Sequence, residues 1–242
     1  FRRVLFRSEP EDILNQVQLF FSKIHELKGK KILITAGPTY ESIDPVRFIG
    51  NHSTGKMGYA IAAACVQRGA DVTLISGPVH EDTPGGLAKM ISIQTAEEMF
   101  EAAKLHAADA DIIIMAAAVA DYTPVSVSET KIKKDTDAML LELKKTTDIL
   151  KYLGEMKQAH QKLIGFALET EEGKSYAQKK LKDKNADAIV LNMQKKGESG
   201  FGSDTNQITI FEKNGQEHSF QLKTKRQVAE DIVNTIKNML HA

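Results

Sequence analysis

Short apolar runs alternate with helical patterns along most of the chain. Apolar runs that end in turn residues predict buried strands, and apolar positions three and four residues apart predict helices. Strands are predicted over 31–36, 71–76, 111–115, 162–168 and 187–192, with a weaker one over 140–143. Helices are predicted over 9–27, 55–68, 96–107, 148–157, 175–184 and 225–240, and a long loop over 40–54.

This alternation predicts the fold class. Apolar strands separated by helices form a mainly parallel sheet with helices on both faces. Near the C-terminus, the runs 207–211 and 219–222 flank Asn214 and Gly215, which are a hairpin turn signal. We therefore expect an α/β fold: a three-layer, Rossmann-like, mainly parallel sheet with a small antiparallel C-terminal addition.

The domain organisation follows from the same pattern. Residues 1–8 begin with Phe1, Arg2 and Arg3, without an initiator methionine, and lead into no element. We interpret them as a tag or truncation scar. A helix or linker over 9–28 then precedes one large domain over 29–242.

Composition and charge exclude several classes of protein. Lys+Arg and Asp+Glu balance at 32 each, so the net charge is zero, which argues against a bulk nucleic-acid binder. No apolar run is long enough to span a bilayer, and no signal peptide is visible. The single cysteine, Cys65, excludes an intramolecular disulfide and suits a cytoplasmic protein.

Candidate chemistry should lie beyond the carboxyl ends of the strands, where open α/β sheets bind ligands. Gly37 follows the first strand, at the place where a dinucleotide-binding fold carries Gly-x-Gly-x-x-Gly, and that pattern is absent. Ser53, Thr54, Gly55 and Lys56 open the next helix. Their amides and the lysine charge would suit an anion, and the alternative is plain N-capping by Ser53 or Thr54.

A third segment follows the strand 111–115. Residues 116–121 are small apart from Asp121, which can accept a hydrogen bond from a ribose hydroxyl or an amine. The lysine run 131–134 is either a solvated loop or a loop that closes over a triphosphate. Lys180 and Lys184 share one helix face, and the histidines show no metal-ligand spacing.

Six segments, in this order and spacing, closely resemble the bacterial phosphopantothenate–cysteine ligase family: 36–39, 44–47, 51–58, 117–122, 131–134 and 165–167. The resemblance covers about residue 28 to the C-terminus. In bifunctional members, a flavin-dependent decarboxylase precedes the ligase and ends in a stretch similar to 9–14. The resemblance thus implies that 9–28 is left from that half, and that FMN belongs only to the missing decarboxylase.

The resemblance also implies a reaction and its partners. 4′-Phosphopantothenate, CTP with Mg²⁺, and L-cysteine would give 4′-phosphopantothenoylcysteine through an acyl cytidylate. Mg²⁺ would come with the nucleotide, because the sequence shows no metal-ligand spacing of its own. The family further implies a cytoplasmic homodimer that binds neither nucleic acid nor membrane.

The resemblance assigns candidate site residues. Asn51 and Lys131 match catalytic positions, for conversion of the acyl cytidylate and for activation with the triphosphate. Thr147 stands where the family usually has proline, and it can N-cap the next helix instead. Positions implied to bind CTP are Met115, Ala116, Ala117, Asp121, Lys131, Thr147, Asp148, Ile149, Leu150, Phe166, Lys180 and Lys184, and the phosphopantothenate or anion site would comprise Gly37, Ser53, Thr54, Gly55 and Lys56.

Two other functions compete with this one. A nicotinamide-dependent reductase on the same sheet lacks its glycine fingerprint, and Tyr176 with Lys180 has the spacing of a Tyr-x-x-x-Lys pair but follows a late strand. A non-catalytic phosphopantetheine-binding module would keep the fold without turnover. The matches at Asn51 and Lys131 argue against that module.

Overall fold

The computed structural model describes residues 26–133, 138–169, 173–193 and 203–240. The helix predicted over 9–27 and the boundary predicted after residue 8 lie outside these ranges, except that 26–29 form a turn. Leu27, in this turn, is buried against the body of the domain.

The described chain alternates strands and helices. The strands are β1 (Lys31–Ala36), β2 (Tyr40–Ser42), β3 (Phe48–Gly50), β4 (Asp71–Ser76), β5 (Lys89–Ser92), β6 (Ile112–Met115), β7 (Tyr122–Pro124), β8 (Leu143–Lys145), β9 (Lys162–Glu169), β10 (Ala188–Met193), β11 (Thr205–Asn206), β12 (Ile208–Glu212), β13 (Glu217–Ser219) and β14 (Lys223–Thr224). The helices are α1 (Lys56–Gln67), α2 (Ala96–Ala107), α3 (Ile149–Met156), α4 (Gly173–Asp183) and α5 (Lys225–Leu240).

Eight of these strands form one sheet in the order β13-β12-β10-β9-β6-β1-β4-β5. The six strands from β10 to β5 are parallel to their neighbours. At one edge, β12 runs antiparallel to β10 and forms a hairpin with β13. The predicted antiparallel addition is thus the edge of the main sheet.

Helices cover both faces of the sheet because successive residues of a strand point to opposite faces. Ile32 and Ile34 pack with α1 and α5 in one apolar cluster. Leu33 packs with α2 and α3 in a second cluster on the other face. A third cluster joins α4 to β9, β10 and β12. The three-layer α/β prediction is confirmed.

Some predicted elements need correction. The loop predicted over 40–54 contains the β2–β3 hairpin. The weak strand predicted over 140–143 is displaced to β8, which pairs with β7. The edge strand β5 was not predicted, because its four residues include exposed Lys89 and Ser92 and show no continuous apolar run.

The strand order creates a crevice beside β1. This strand is hydrogen-bonded to β4 on one side and to β6 on the other. The connection that follows β1 leads to β4, and the connection that follows β6 leads to β9, so the two connections run toward opposite edges of the sheet. Ligands of open α/β sheets bind at such a switch point, outside the carboxyl ends of the strands. The carboxyl ends of β1, β6, β9 and β10 lie side by side at this edge.

Candidate functional site

A cleft of about 1000 Å³ opens at this edge of the sheet. Its floor is formed by the carboxyl ends of β6, β9 and β10, and one wall by residues 51–58. The opposite wall is formed by 145–150 and by α4. The volume is sufficient for a nucleotide and part of a second substrate.

The wall at α1 begins with a helix terminus that no side chain caps. The N-cap residue is Gly55, in a left-handed conformation with φ of 78°, and α1 has no side-chain cap hydrogen bond. N-capping by Ser53 or Thr54 is therefore wrong; the Ser53 hydroxyl accepts from the Gly55 amide at 3.4 Å. Amides without a side-chain cap and the helix dipole make this end a favourable place for an anion.

Glycine at two positions permits close packing beneath this terminus. A Cβ on Gly55 would lie 2.7 Å from Val79 Cγ1 and 3.5 Å from Gly37 Cα. Gly37 has φ of 75°, and its own Cβ would lie 2.9 Å from the same valine methyl. Gly37 is not among the residues that line the cleft, and it supports the helix terminus from below.

The chain after β6 is tied to the end of β1 and to the chain that follows β1. The Ala117 amide donates to Thr35 Oγ1 at 3.3 Å, and the Ala120 amide donates to Thr39 Oγ1 at 2.9 Å. Asn51 Nδ2 donates to the carbonyls of Ala118 at 2.9 Å and Val119 at 3.2 Å. These bonds fix the Asn51 side chain at the rim of the cleft, beside the small residues that follow β6.

The wall at α4 is held by two lysines. Lys180 Nζ donates to the Phe166 carbonyl at 2.8 Å, and Lys184 pairs with Asp148. Burial, and then the charge of Lys184, lower the pKa of Lys180. Burial opposes the ionisation of Asp148, but hydrogen bonds from Lys184 and the Lys151 amide outweigh it, so the pKa of Asp148 is lowered.

Asp148 also begins α3. Its side chain accepts from the Lys151 amide at 2.9 Å, which makes Asp148 the N-cap residue. The prediction that Thr147 caps this helix is wrong: Thr147 lies one residue earlier and lines the cleft. The carboxylate of Asp148 accepts one bond at each oxygen, from the Lys151 amide at Oδ1 and from Lys184 at Oδ2.

A second lysine pair lies at the α1 end. Lys56 Nζ is 2.5 Å from Asp204 Oδ1, and this bond raises the pKa of Lys56. Lys225, the first residue of α5, is half-buried and lines the cleft. Burial, and then the charge of Lys56, lower the pKa of Lys225. A phosphate between these lysines would offset their mutual repulsion.

Lys131 lies outside the cleft lining, on a segment held by a buried carboxylate. Asp44, whose side chain is 0% exposed, accepts from the amide of Ile132 at 3.2 Å and from Arg47 Nη2 at 2.5 Å. Arg47 Nη2 also donates to the Ile132 carbonyl at 2.8 Å. Both main-chain groups of Ile132 are thus fixed, and Lys131 precedes this point.

The cleft brings together most of the residues named from the sequence, and it adds others. Predicted residues that line it are Asn51, Ser53, Thr54, Gly55, Lys56, Met115, Ala116, Ala117, Asp121, Thr147, Asp148, Ile149, Leu150, Phe166, Lys180 and Lys184. Sequence reasoning missed Lys145, Lys179, Asn192, Asn206 and Lys225. Asn192 alone carried a signal, because it ends a predicted strand at the carboxyl edge.

The part of the chain that the structure describes contains neither a clustered metal site nor a membrane-spanning helix. Within the described ranges, no group of three or more His, Cys, Asp or Glu side chains could hold a metal ion. In the same part of the chain, every helix is too short or too polar to cross a bilayer.

The chain is similar to known proteins over nearly its whole length. Residues 27–240 match the family model of the DNA/pantothenate metabolism flavoprotein C-terminal domain. The Bacillus subtilis (strain 168) coenzyme A biosynthesis bifunctional protein CoaBC is 50% identical over 230 residues, which are 94% of this chain and 56% of that protein. A cysteine/cysteine sulfinic acid decarboxylase from an unknown prokaryotic organism is 47% identical over 238 residues, 97% of this chain and 66% of that protein.

A solved structure supports the fold. The crystal structure of the C-terminal domain of a coenzyme A biosynthesis bifunctional protein CoaBC superposes with a TM-score of 0.77 at 44% identity. The match covers 90% of this chain and 98% of that one. The chain spans 56% and 66% of the lengths of the two sequence relatives, so it corresponds to one part of each.

Proposed function

Because the chain belongs to the DNA/pantothenate metabolism flavoprotein C-terminal domain family, we propose that it joins 4′-phosphopantothenate to L-cysteine with CTP as the activating nucleotide. The observation that carries this proposal is the composition of the cleft. It sets an uncapped helix terminus and Lys56 against Lys180, Lys184 and Asp121. Cationic groups at both ends suit two phosphorylated substrates in one site.

The proposed reaction has two steps. A carboxylate oxygen of 4′-phosphopantothenate attacks the α-phosphorus of CTP, the bond from that phosphorus to the pyrophosphate oxygen breaks, and pyrophosphate leaves. The cysteine nitrogen then attacks the acyl carbon of the acyl cytidylate, the bond to CMP breaks, and the nitrogen loses a proton. Activation is needed because CMP is a far better leaving group than oxide.

The cleft residues have matching roles. The amides at the start of α1 and Lys56 bind phosphate, and Asp121 accepts from a ribose hydroxyl. Asn51 Nδ2 already donates to two main-chain carbonyls, so the Asn51 oxygen is the atom that accepts a hydrogen bond from a hydroxyl or N–H of the acyl substrate. Lys131 lies on the segment held by Asp44 and Arg47, and it contacts the triphosphate while the carboxylate is activated.

Mg²⁺ enters the proposal with the nucleotide. When bound, it neutralises the triphosphate charge as pyrophosphate forms. The phosphate oxygens of the nucleotide would be its ligands.

A second copy of the chain is the proposed protein partner. Within the described ranges, twelve large apolar side chains are exposed, and eight of them lie between 40 and 50 or between 122 and 145. These regions include the β2–β3 and β7–β8 hairpins. We call the eight residues the hairpin patch: Val46, Phe48, Tyr122, Val125, Val127, Met139, Leu140 and Leu143.

Pyrophosphate release tests the reaction. The purified chain is given Mg²⁺, 4′-phosphopantothenate and cysteine, with CTP or ATP in parallel. Release that requires the acid and favours CTP is the expected result, together with a mass corresponding to 4′-phosphopantothenoylcysteine. Release that does not require the acid would indicate a nucleotide hydrolase.

Two parallel assays address other chemistries. Carbon dioxide release from cysteine without pyrophosphate would favour the activity named for the decarboxylase relative. Oxidation of NADPH would favour the reductase. Tight binding of 4′-phosphopantothenate with no turnover under any condition would favour a non-catalytic binding module.

A further inference from the structure

Asn206, on β11, carries a buried polar atom without a partner. The residue is 4% exposed and lines the cleft. Its Nδ2 lies 3.7 Å from Met57 Sδ, a weak contact, and its Oδ1 has no hydrogen-bond partner within the described ranges. Burying a carbonyl oxygen without a donor destabilises a protein, so an oxygen kept in this state calls for a reason.

The surroundings of Asn206 indicate what supplies the missing donor. Met57 lies in the first turn of α1, next to Lys56. Lys225 lines the same cleft, and its amide donates to the carbonyl of Asp204, two residues before Asn206. An uncapped helix terminus and two lysines attract a phosphorylated ligand, and a hydroxyl or N–H of that ligand can reach the acceptor.

We propose that Asn206 determines ligand specificity at this end of the cleft: its side-chain oxygen accepts a hydrogen bond from a hydroxyl or N–H of a phosphorylated ligand, while Lys225 joins Lys56 at the phosphate. The identity of the ligand rests on the proposed function. CTP offers ribose hydroxyls and the cytosine amine, and 4′-phosphopantothenate offers a hydroxyl and an amide. Both therefore carry the required donor.

Asn206→Leu separates a ligand contact from a structural role. Leucine has nearly the shape of asparagine and removes the unpartnered oxygen. We expect the melting temperature without ligand to stay level or rise, because an uncompensated polar group leaves the interior. We expect the dissociation constant of the ligand to rise about tenfold or more, because one buried hydrogen bond is lost.

Gln161→Met is the matched control. Gln161 is also 4% exposed, but its amide is fully engaged: Nε2 donates to the carbonyls of Ala107 and Ala110 at 2.7 Å each. Its Oε1 accepts from the Gln158 amide at 2.8 Å. This variant should lower the melting temperature and leave ligand binding unchanged, the opposite of the pattern expected for Asn206→Leu.

Calorimetric titration of the wild type and both variants, with CTP and with 4′-phosphopantothenate separately, identifies the source of the donor. Weakening confined to CTP assigns it to the nucleotide, and weakening confined to 4′-phosphopantothenate assigns it to the acid. Equal affinities in the wild type and Asn206→Leu would overturn the inference, as would a lower melting temperature for Asn206→Leu. A wild-type protein that binds neither ligand would overturn the proposed function instead, and with it this inference.

Discussion

Single side chains at the cleft act mainly by holding main-chain groups in place. Asn51 fixes the carbonyls of residues 118 and 119, Lys180 fixes the Phe166 carbonyl, and Thr146 Oγ1 donates to the Ala120 carbonyl at 2.7 Å. Each bond joins two segments that are distant in sequence. A substitution at such a residue therefore displaces a strand end as well as removing a functional group.

Asn51→Asp is expected to separate the two proposed chemical steps. The carboxylate lacks the N–H groups that donate to Ala118 and Val119, and its charge opposes the negative oxygen that develops when cysteine attacks. Activation should continue, while cysteine attack slows about 100-fold. Acyl cytidylate should then accumulate and be detected by mass spectrometry after acid quench.

The contrasting outcome for Asn51→Asp is clear. Loss of pyrophosphate release, with no trapped intermediate, would place Asn51 in activation or in the fold. Glu101→Gln removes an exposed acid that pairs with Lys104 and serves as a control for non-specific effects of substitution. It should behave like the wild type in both steps.

The ionised carboxylate of Asp44 should stabilise the fold and hold the segment that contains Lys131, and acid should remove this effect. The hydrogen bond from Arg47 holds the pKa of Asp44 well below its usual range, against the opposing effect of burial, and three amides add to the lowering. Because the folded-state pKa is depressed, this stabilisation is present above the unfolded-state pKa of about 4 and is lost as the pH falls through the folded-state value. Asp44→Asn should therefore lower the melting temperature by several degrees at neutral pH, with a difference that shrinks below about pH 4.

Thermal unfolding across pH, combined with amide hydrogen exchange, measures this link. Exchange at Ile132 should accelerate in Asp44→Asn, since its amide donates to the removed carboxylate. A melting-temperature difference that stays constant down to the acid limit would contradict the role of Asp44 ionisation. Unchanged exchange at Ile132 would contradict the hold on the Lys131 segment.

At the scale of elements, apolar patterning predicted the central strands and helices closely. The bounds predicted for β1, β4, α2 and α5 agree with the structure, because each combines a continuous or periodic apolar pattern with a clear stop. The hairpin β2–β3 was missed, since its residues Tyr40–Ser42 and Phe48–Gly50 are short and mixed in polarity. Helix starts were also misjudged, at Gly55 and at Asp148, because capping depends on the path of the preceding chain.

Gly55→Ala tests why α1 begins with glycine. Alanine at φ of 78° costs about 1–2 kcal/mol in any setting, and here its Cβ would also contact Val79. Gly29→Ala is the matched control, because Gly29 has φ of 77° and nothing within 4 Å of the added Cβ. Gly55→Ala should lose about 1 kcal/mol or more beyond Gly29→Ala.

Chemical denaturation gives both free energies of unfolding, and CTP titration adds a functional reading. Gly55→Ala should also bind CTP more weakly, since the terminus that faces the cleft must shift, whereas Gly29→Ala should bind normally. Equal losses of stability in the two variants would show that backbone conformation, and not the close approach to Val79, requires glycine at Gly55.

At the scale of the whole molecule, the parallel sheet brings segments that are distant in sequence together at one site. Residues from eight separate segments meet at one edge because the carboxyl ends of β1, β6, β9 and β10 lie side by side. Motifs at those ends were readable in the sequence. Asn206 and Lys225 were not, because they reach the cleft from β11 and the start of α5, and their placement depends on tertiary packing alone.

The hairpin patch makes the assembly testable. Exposed apolar patches are a feature of interfaces, and the two hairpins that carry these side chains contact each other through β2 and β7. Phe48 is 51% exposed, and it stacks on Tyr40 with ring centroids 4.0 Å apart. We expect the chain to be a homodimer in solution. Phe48→Ser should raise the dissociation constant of the dimer about tenfold or more, because it removes an aromatic side chain that the interface would bury.

Sedimentation over a series of protein concentrations measures the monomer–dimer equilibrium of the wild type and Phe48→Ser, with Leu105→Ser as the control. Leu105 is 72% exposed on α2, away from both hairpins, so its replacement should leave assembly unchanged. Pyrophosphate release measured at each concentration adds a second reading: activity that falls in step with dissociation would show that the cleft needs the second copy. A wild type that stays monomeric at every concentration would overturn the dimer, and the hairpin patch would then have to face another partner.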